Sequence, residues 1–375
     1  MLQWSCGEIY VSEIYVSEIY VSETYAGEPS RPSLLPQGSR LETCNGLRSF
    51  PGGDTMQRNI LVSTIVALGI GLCATPSLAQ VRIISGFPPG GAVDALARIF
   101  AERLAEALGR PVVVETRAGA AGLIGAQAVK ASAPDGNTLM VVPDSMITLY
   151  PHTVKKPAYD ALNDFVPIAH VGSYPFGFAI ANNVPANDLT EYLAWAKQSP
   201  RNASYATAGV GTTMHFLGVI IGQATGLPMA NIAYRGVGPA ITDVVAGQVP
   251  SVILPLGTIL AQAAAGKVKL VAQSGSSRAQ AAPAVPTFRE LGLPAVEAYG
   301  WFALFAPVGT PSAVVNRYNE IVVQATRGAA TREKLRALDL ESREMTPAEL
   351  VAQLKFEHDR WAPIVKTSGF SADSQ

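Results

Sequence analysis

From Val81 onward the chain repeats one pattern: a short apolar run, a glycine-rich turn, then a stretch whose apolar residues recur at helical spacing. Val81–Phe87 (VRIISGF) leads through PPGGAVD into Ala92–Leu108, where Leu96, Ile99, Phe100 and Leu104 fall on one helix face. Pro111–Thr116 (PVVVET) is followed by RAGAAGLIG, an alanine-rich helix to Ala131, and the apolar run Asn137–Val142. A second series begins near residue 181, with a helix over Leu189–Gln198, a strand over Ala203–Thr207, the turn AGVGTTM and a helix over Met214–Thr225. Strands at Asn231–Tyr234, Val249–Leu254 and Val268–Gln273 then alternate with helices at Pro239–Ala246 and Thr258–Ala265. Pro283–Pro294 reads as a connection, Trp301–Ala306 as a strand, and Thr310 as the cap of a helix beginning at Pro311. Helices near Thr331–Ala337 and Pro347–Ser368 finish the chain. This alternation predicts parallel strands joined by helices, an α/β fold class. Two such series predict two α/β domains with a ligand cleft between them: residues 80–180 plus 300–375, and 181–299.

The first eighty residues follow a different rule. Residues 8–25 read EIYVSEIYVSEIYVSETY, a five-residue period matching neither helix nor strand. One reading is an adhesive β-repeat. The other takes residues 1–55 as a disordered, non-native upstream extension, and the interpretable start at Met56 favours it. From Met56 the chain has an early Arg58, an apolar run from Ile60 to Cys73, and Ser77-Leu78-Ala79 before Gln80. That is the layout of a secretory signal over residues 56–79, too short for a span of about 20 residues. Leu72 before Cys73 stands against a lipoprotein signal. Cleavage after Ala79 leaves 296 residues and places the protein outside the cytoplasm.

Removing that segment changes the chemistry available. All three cysteines, Cys6, Cys44 and Cys73, precede the cut, so thiol nucleophiles and thiolate metal sites leave with it. What remains has 24 basic and 22 acidic residues and no Lys/Arg block, which argues against a nucleic-acid partner. His152, His170, His215 and His358 form no short metal-binding spacing, so neither a metal nor a cofactor is expected. No G-x-S-x-G elbow or phosphate loop occurs, although a dispersed triad cannot be read from sequence.

Ligands of open α/β sheets bind beyond the carboxyl ends of strands, so the strand-to-helix loops carry the functional reading. In Phe87-Pro88-Pro89-Gly90-Gly91-Ala92-Val93-Asp94, paired glycines let the backbone approach a ligand just where a helix starts. Its unpaired N–H groups and positive dipole end can hold a carboxylate without Lys or Arg; the alternative is a tight turn with Asp94 in the first helical turn. Gly209-Val210-Gly211-Thr212-Thr213-Met214-His215 repeats the device, with threonines that can cap the helix or donate to an anion. It is not a dinucleotide fingerprint, since Met214 stands where the third glycine would be. RAGAAGLIG is open to either ligand contact or close helix packing. Arg235 can pair with a ligand carboxylate, or be a surface residue or a partner of Asp243. Trp301 reads as core or hinge packing.

FPPGGAVDALAR, VVVETRAGAAGLIGAQAV, APDGNTLM, YPHTVKKPAYDALNDFVPIAHV, YATAGVGTTMHFLG, IAYRGVGPAITDVVAGQV and VPTFRELGLPAVEAYGWFALFAPVGTP, in this order, resemble the successive signatures of the Bug, or TctC-like, extracytoplasmic solute receptors. The resemblance runs from Val81 to the C terminus. It implies a periplasmic binding protein-like fold whose two domains close over a small carboxylate, such as an organic, amino or aromatic acid. It also implies one ligand wall at Phe87, Gly90, Gly91, Ala92 and Asp94, and a loop after the third strand holding Ser145 and Thr148. The second wall is then Thr207, Gly209, Gly211, Thr212 and His215, with Asp243 opposite. Leu123 replaces the asparagine usual in the family's E-N-R-P-G-A-G-G-N-I-G run, and Ala303 the glycine of its W-x-G, changes that bear on pocket shape.

The leading expectation is therefore a monomeric, non-enzymatic receptor serving the membrane permease subunits of a tripartite tricarboxylate-type transporter. Two alternatives stand beside it: an exported α/β hydrolase using His215 as base, and a receptor feeding a sensor kinase.

Overall fold

Strands that are apolar on both faces must be covered on both faces, and this rule organises the molecule. The computed structural model describes residues 80–374, which lie in one compact unit. The five-residue repeat, the signal-like segment and the three cysteines lie outside the described residues.

Among the described residues nine strands form one sheet: β1 (Val81–Ser85), β2 (Val112–Thr116), β3 (Thr138–Pro143), β4 (Phe165–Ala181), β5 (Ser204–Thr207), β6 (Ala230–Ala233), β7 (Ser251–Pro255), β8 (Val268–Gln273) and β9 (Tyr299–Pro307). Their order is β2-β1-β3-β9-β4-β7-β5-β6, with β8 also paired to β4. The expected parallel pairing holds within each series: β1 with β2 and β3, and β5 with β6 and β7. The elements that join the series are antiparallel, which the sequence reading had not allowed for. β9 runs against β3 and β4, and β4 against β7 and β8.

The seventeen-residue β4 is the link. Phe165–Pro175 pair with β9, whereas Phe176–Ala181 pair with β7 and β8, so one strand belongs to both halves of the sheet. The register shifts at Pro167/Ala169 and His170/Gly172, and bulges there bend the strand.

Eleven α-helices cover the sheet among the described residues: α1 (Ala92–Leu108), α2 (Leu123–Lys130), α3 (Asp144–Thr148), α4 (Tyr150–Thr153), α5 (Leu189–Ala196), α6 (Thr213–Thr225), α7 (Val237–Val245), α8 (Leu256–Ala264), α9 (Ser312–Arg327), α10 (Ala329–Arg336) and α11 (Pro347–Ser368). In the first half, alternate residues of β9 serve opposite cores. Phe302, Leu304 and Ala306 pack with Leu96, Phe100 and Leu104 of α1 and Val315, Tyr318 and Val322 of α9. Trp301, Ala303 and Phe305 pack with Ala126 and Val129 of α2 and Leu350 and Leu354 of α11. The second half has its own core, from Phe178 and Ile180 of β4 to Phe216, Leu217, Ile220 and Ile221 of α6, and Trp361 and Val365 of α11 join it.

Thr310 does not cap α9. Its hydroxyl donates to the Pro307 carbonyl at 2.8 Å, and the helix starts after Pro311 with no side-chain cap. The reading of RAGAAGLIG resolves towards packing. A Cβ on Gly86 would stand 2.9 Å from the Cα and carbonyl oxygen of Gly122, and one on Gly125 would stand 2.9 Å from the Cα of Gly86, so backbone meets backbone there.

Candidate functional site

The β1–α1 junction owes its shape to glycine. Gly90 has φ +90°, a conformation that favours glycine, and an added Cβ would meet nothing within 4 Å, so its face is open. Gly91 is the N-cap of α1 and brings no side chain to satisfy the first-turn N–H groups. Beneath the loop, buried Asp94 accepts from the Gly90 N–H at 3.1 Å and the Arg98 Nε at 3.0 Å through Oδ2. The hydrogen bond from Arg98 is the main cause that holds its carboxyl below the usual value. Its Oδ1 is buried without a partner among the described residues. Phe87 is half-buried, with its ring against Gly122. Ala92 opens α1 behind it.

The β5–α6 junction is the second device. Gly211 has φ +70°, and its N–H donates to His215 Nδ1 at 3.2 Å. Thr212 caps α6, accepting from the His215 N–H while its hydroxyl donates to the Gly209 carbonyl at 2.9 Å. His215 stacks on Phe216 and meets the edge of Phe370, and burial holds its ring below the usual value. With Nδ1 accepting, the neutral ring keeps its proton on Nε2. Among the described residues no carboxylate or hydroxyl is hydrogen-bonded to the ring nitrogens, and Nδ1 is taken by the Gly211 N–H.

Two predicted contact residues serve from behind. The Thr207 hydroxyl is fully buried and donates to Asn231 Oδ1 at 2.8 Å. That of Thr148, equally buried, donates to the Asp144 carbonyl at 3.0 Å. Ser145 is half-buried in α3. Asp243 lies on α7 and accepts from the Tyr234 hydroxyl at 2.7 Å, and among the described residues it makes no ion pair with Arg235. Arg235 is exposed, held between the Tyr234 and Gly236 N–H groups that donate to the Thr207 and Ala208 carbonyls.

What brings the series together is a residue that sequence reasoning passed over. Asp144, directly before Ser145, is buried and accepts from the Thr213 hydroxyl at 2.7 Å. The first-half loop is thereby bonded to the first residue of α6. Burial pushes its carboxyl up to about 7 against that hydrogen bond. An acid placed immediately after the apolar run VVP was the available signal.

Cavities of about 670 and 620 Å³ lie elsewhere, along β4 and β9. Tyr299 and Glu341 line both, and none of the predicted site residues does. In the glycine loops Gly90 and Gly91 are exposed, and Gly209 and Gly211 half-buried.

The profile described as "Tripartite tricarboxylate transporter family receptor", TctC, matches residues 96–370. The chain belongs to this family. It is 33% identical to protein BugT of Bordetella pertussis over 294 residues, 77% of this chain and 89% of the relative. An R. palustris protein solved with adipate is 27% identical at a TM-score of 0.68, covering 78% of this chain and 98% of the other. MatC of Rhodopseudomonas palustris, solved with bound malate, is 29% identical at a TM-score of 0.66, covering 77% and 99%. The chain is thus a receptor of the periplasmic binding protein type, with the two-domain α/β fold of that type. No helix among the described residues is long and apolar enough to cross a membrane.

Proposed function

We propose that this TctC receptor captures a small carboxylate between the β1–α1 and β5–α6 loops. The observation that carries the reading is the pair of glycine-led helix starts, one from each half of the sheet, with the Asp144–Thr213 hydrogen bond tying the β3–α3 junction of the first half to the start of α6. Phe87, Gly90, Gly91, Ala92 and Asp94 make one wall, and Gly209, Gly211, Thr212 and His215 the other. Ser145 stands between them and Asp243 opposite, with Thr148 and Thr207 buttressing from behind. Main-chain N–H groups and the helix dipoles supply the attraction, and His215 Nε2 adds a neutral donor. Arg98, the cation of this helix turn, is paired with Asp94.

The two domains, residues 80–180 plus 300–375 and 181–299, close about β4 and β9. The closed form is read by the permease subunits of a tripartite tricarboxylate-type transporter. The protein reaches the periplasm through a signal beginning at Met56 and cut after Ala79. That adipate and malate accompany two structural relatives supports a carboxylate ligand here.

A thermal-shift screen of mono-, di- and tricarboxylates tests this. An acid at 100 times its Kd stabilises the folded state by about 2.7 kcal/mol, which raises Tm by several degrees. A flat response across the panel at millimolar concentration would sink the reading.

A further inference from the structure

The residues that follow α11 lie against the β5–α6 turn. Gly369 closes the helix in a left-handed conformation, φ +69°, which favours glycine and turns the chain. Ser368 orients what comes next, since its hydroxyl donates to the Val365 carbonyl at 2.6 Å and accepts from the Phe370 N–H at 3.1 Å. The half-buried Phe370 ring is thereby laid on the turn. Its centroid stands 5.1 Å from that of His215 at 84° and 5.9 Å from that of Phe216 at 77°. A Cβ on Gly211 would stand 3.2 Å from Phe370 Cε1, so the ring covers that glycine. The Gln223 amide of α6 donates to the Thr367 hydroxyl at 3.1 Å and holds the end of α11 in place. Past Phe370 the chain reaches the first half, where exposed Asp373 accepts from the Lys155 main-chain N–H at 2.7 Å, just after α4. The turn has few restraints of its own. Gly211 is held by its N–H on His215 Nδ1, and Gly209 by its carbonyl under the Thr212 hydroxyl. The first of these lasts only while the His215 ring keeps its orientation, and Phe216 and Phe370 are the rings packed on it.

We propose that Phe370 is a positioning residue for the second ligand wall: packed on Gly211 and His215, it fixes the Gly209–His215 turn, and the Asp373–Lys155 hydrogen bond straps residues 369–373 across that turn. The consequence for capture rests on the carboxylate reading above. The hold on the turn does not depend on it.

The test is hydrogen–deuterium exchange on the full, unliganded chain, comparing wild type with Phe370→Ala and Asp373→Ala. In Phe370→Ala the amides of residues 211–216 should lose at least about tenfold in protection, while those of β1 keep theirs. In Asp373→Ala the Lys155 amide should lose its protection outright, and residues 211–216 should lose about threefold. A second readout is the proton-magnetic-resonance titration of the His215 ring. Burial holds that ring below its ordinary 6.5, so uncovering it in Phe370→Ala should move its midpoint up. A general loss of stability would not move it. The proposal is overturned by unchanged protection of residues 211–216 or an unchanged His215 midpoint in Phe370→Ala, or by a loss spread equally over β1. An Asp373→Ala turn protected like wild type overturns the strap. If Phe370→Ala does not fold, Asp373→Ala decides alone, because its exposed side chain belongs to no core. Neither readout uses a ligand, so a loosened turn beside a panel of acids that none binds would sink the carboxylate reading and leave this one standing.

Discussion

Two buried groups give the fold opposite dependences on pH. His170 of β4 is 3% exposed, and neither ring nitrogen has a partner among the described residues. Burial, with Arg343 nearby, lowers it from the ordinary 6.5 to about 4. The unfolded chain takes up a proton below pH 6.5 that native His170 refuses until about pH 4. Its contribution to stability is therefore present above 6.5 and lost as the pH falls through this window. Asp144 acts the other way. Its native carboxyl keeps a proton to about pH 7, whereas the ordinary value is 3.8, so its contribution is present below 3.8 and lost as the pH rises to about 7. In the wild type the two slopes partly cancel. Replacing His170 by Phe removes one of them. The stability of His170→Phe relative to wild type, from urea unfolding, should improve by on the order of 3 kcal/mol between pH 6.5 and 4. A difference that does not change with pH would show that His170 is not held neutral.

The elements were legible in the sequence where period and punctuation agreed. Ala92–Leu108, Val268–Gln273 and Pro347–Ser368 have the bounds that their patterns predict. β4 was not legible, because Pro167, Gly172, Pro175 and Gly177 break a run that is apolar on both faces and bends at two bulges. The glycine loops could be found by composition and position. Asp144 could not be assigned a role, since its partner Thr213 is 69 residues away and only the fold brings them together. Helix α11 carries a consequence of its own. It begins with a Thr346/Glu349 capping box, inserts Leu350 and Leu354 into a first-half core, and inserts Trp361 and Val365 into the second. A helix shared between cores couples their unfolding. Trp361→Ala should cost about 3–5 kcal/mol, and wild-type urea transitions followed by far-ultraviolet dichroism and by tryptophan fluorescence should coincide. Two separated transitions would mean that the halves unfold independently of α11.

At the scale of the whole molecule, two α/β halves share one sheet, and each offers a helix N-terminus behind glycine. Backbone donors of this kind recognise a carboxylate while placing few demands on the rest of the ligand. In the proposed site the ligand is held by both loops, so a change in either should reduce affinity with little effect on the cores. Gly90→Ala puts a side chain at a left-handed φ of +90° where the loop is open, and this strains the turn that positions the donors. The most direct measurement is isothermal titration of the purified protein with malate, adipate and the other acids of the panel, repeated with Gly90→Ala. The account predicts one-to-one binding of at least one acid and at least about a tenfold loss of affinity in the variant. Binding that Gly90→Ala leaves unchanged, or no binding by any acid at millimolar concentration, would contradict it.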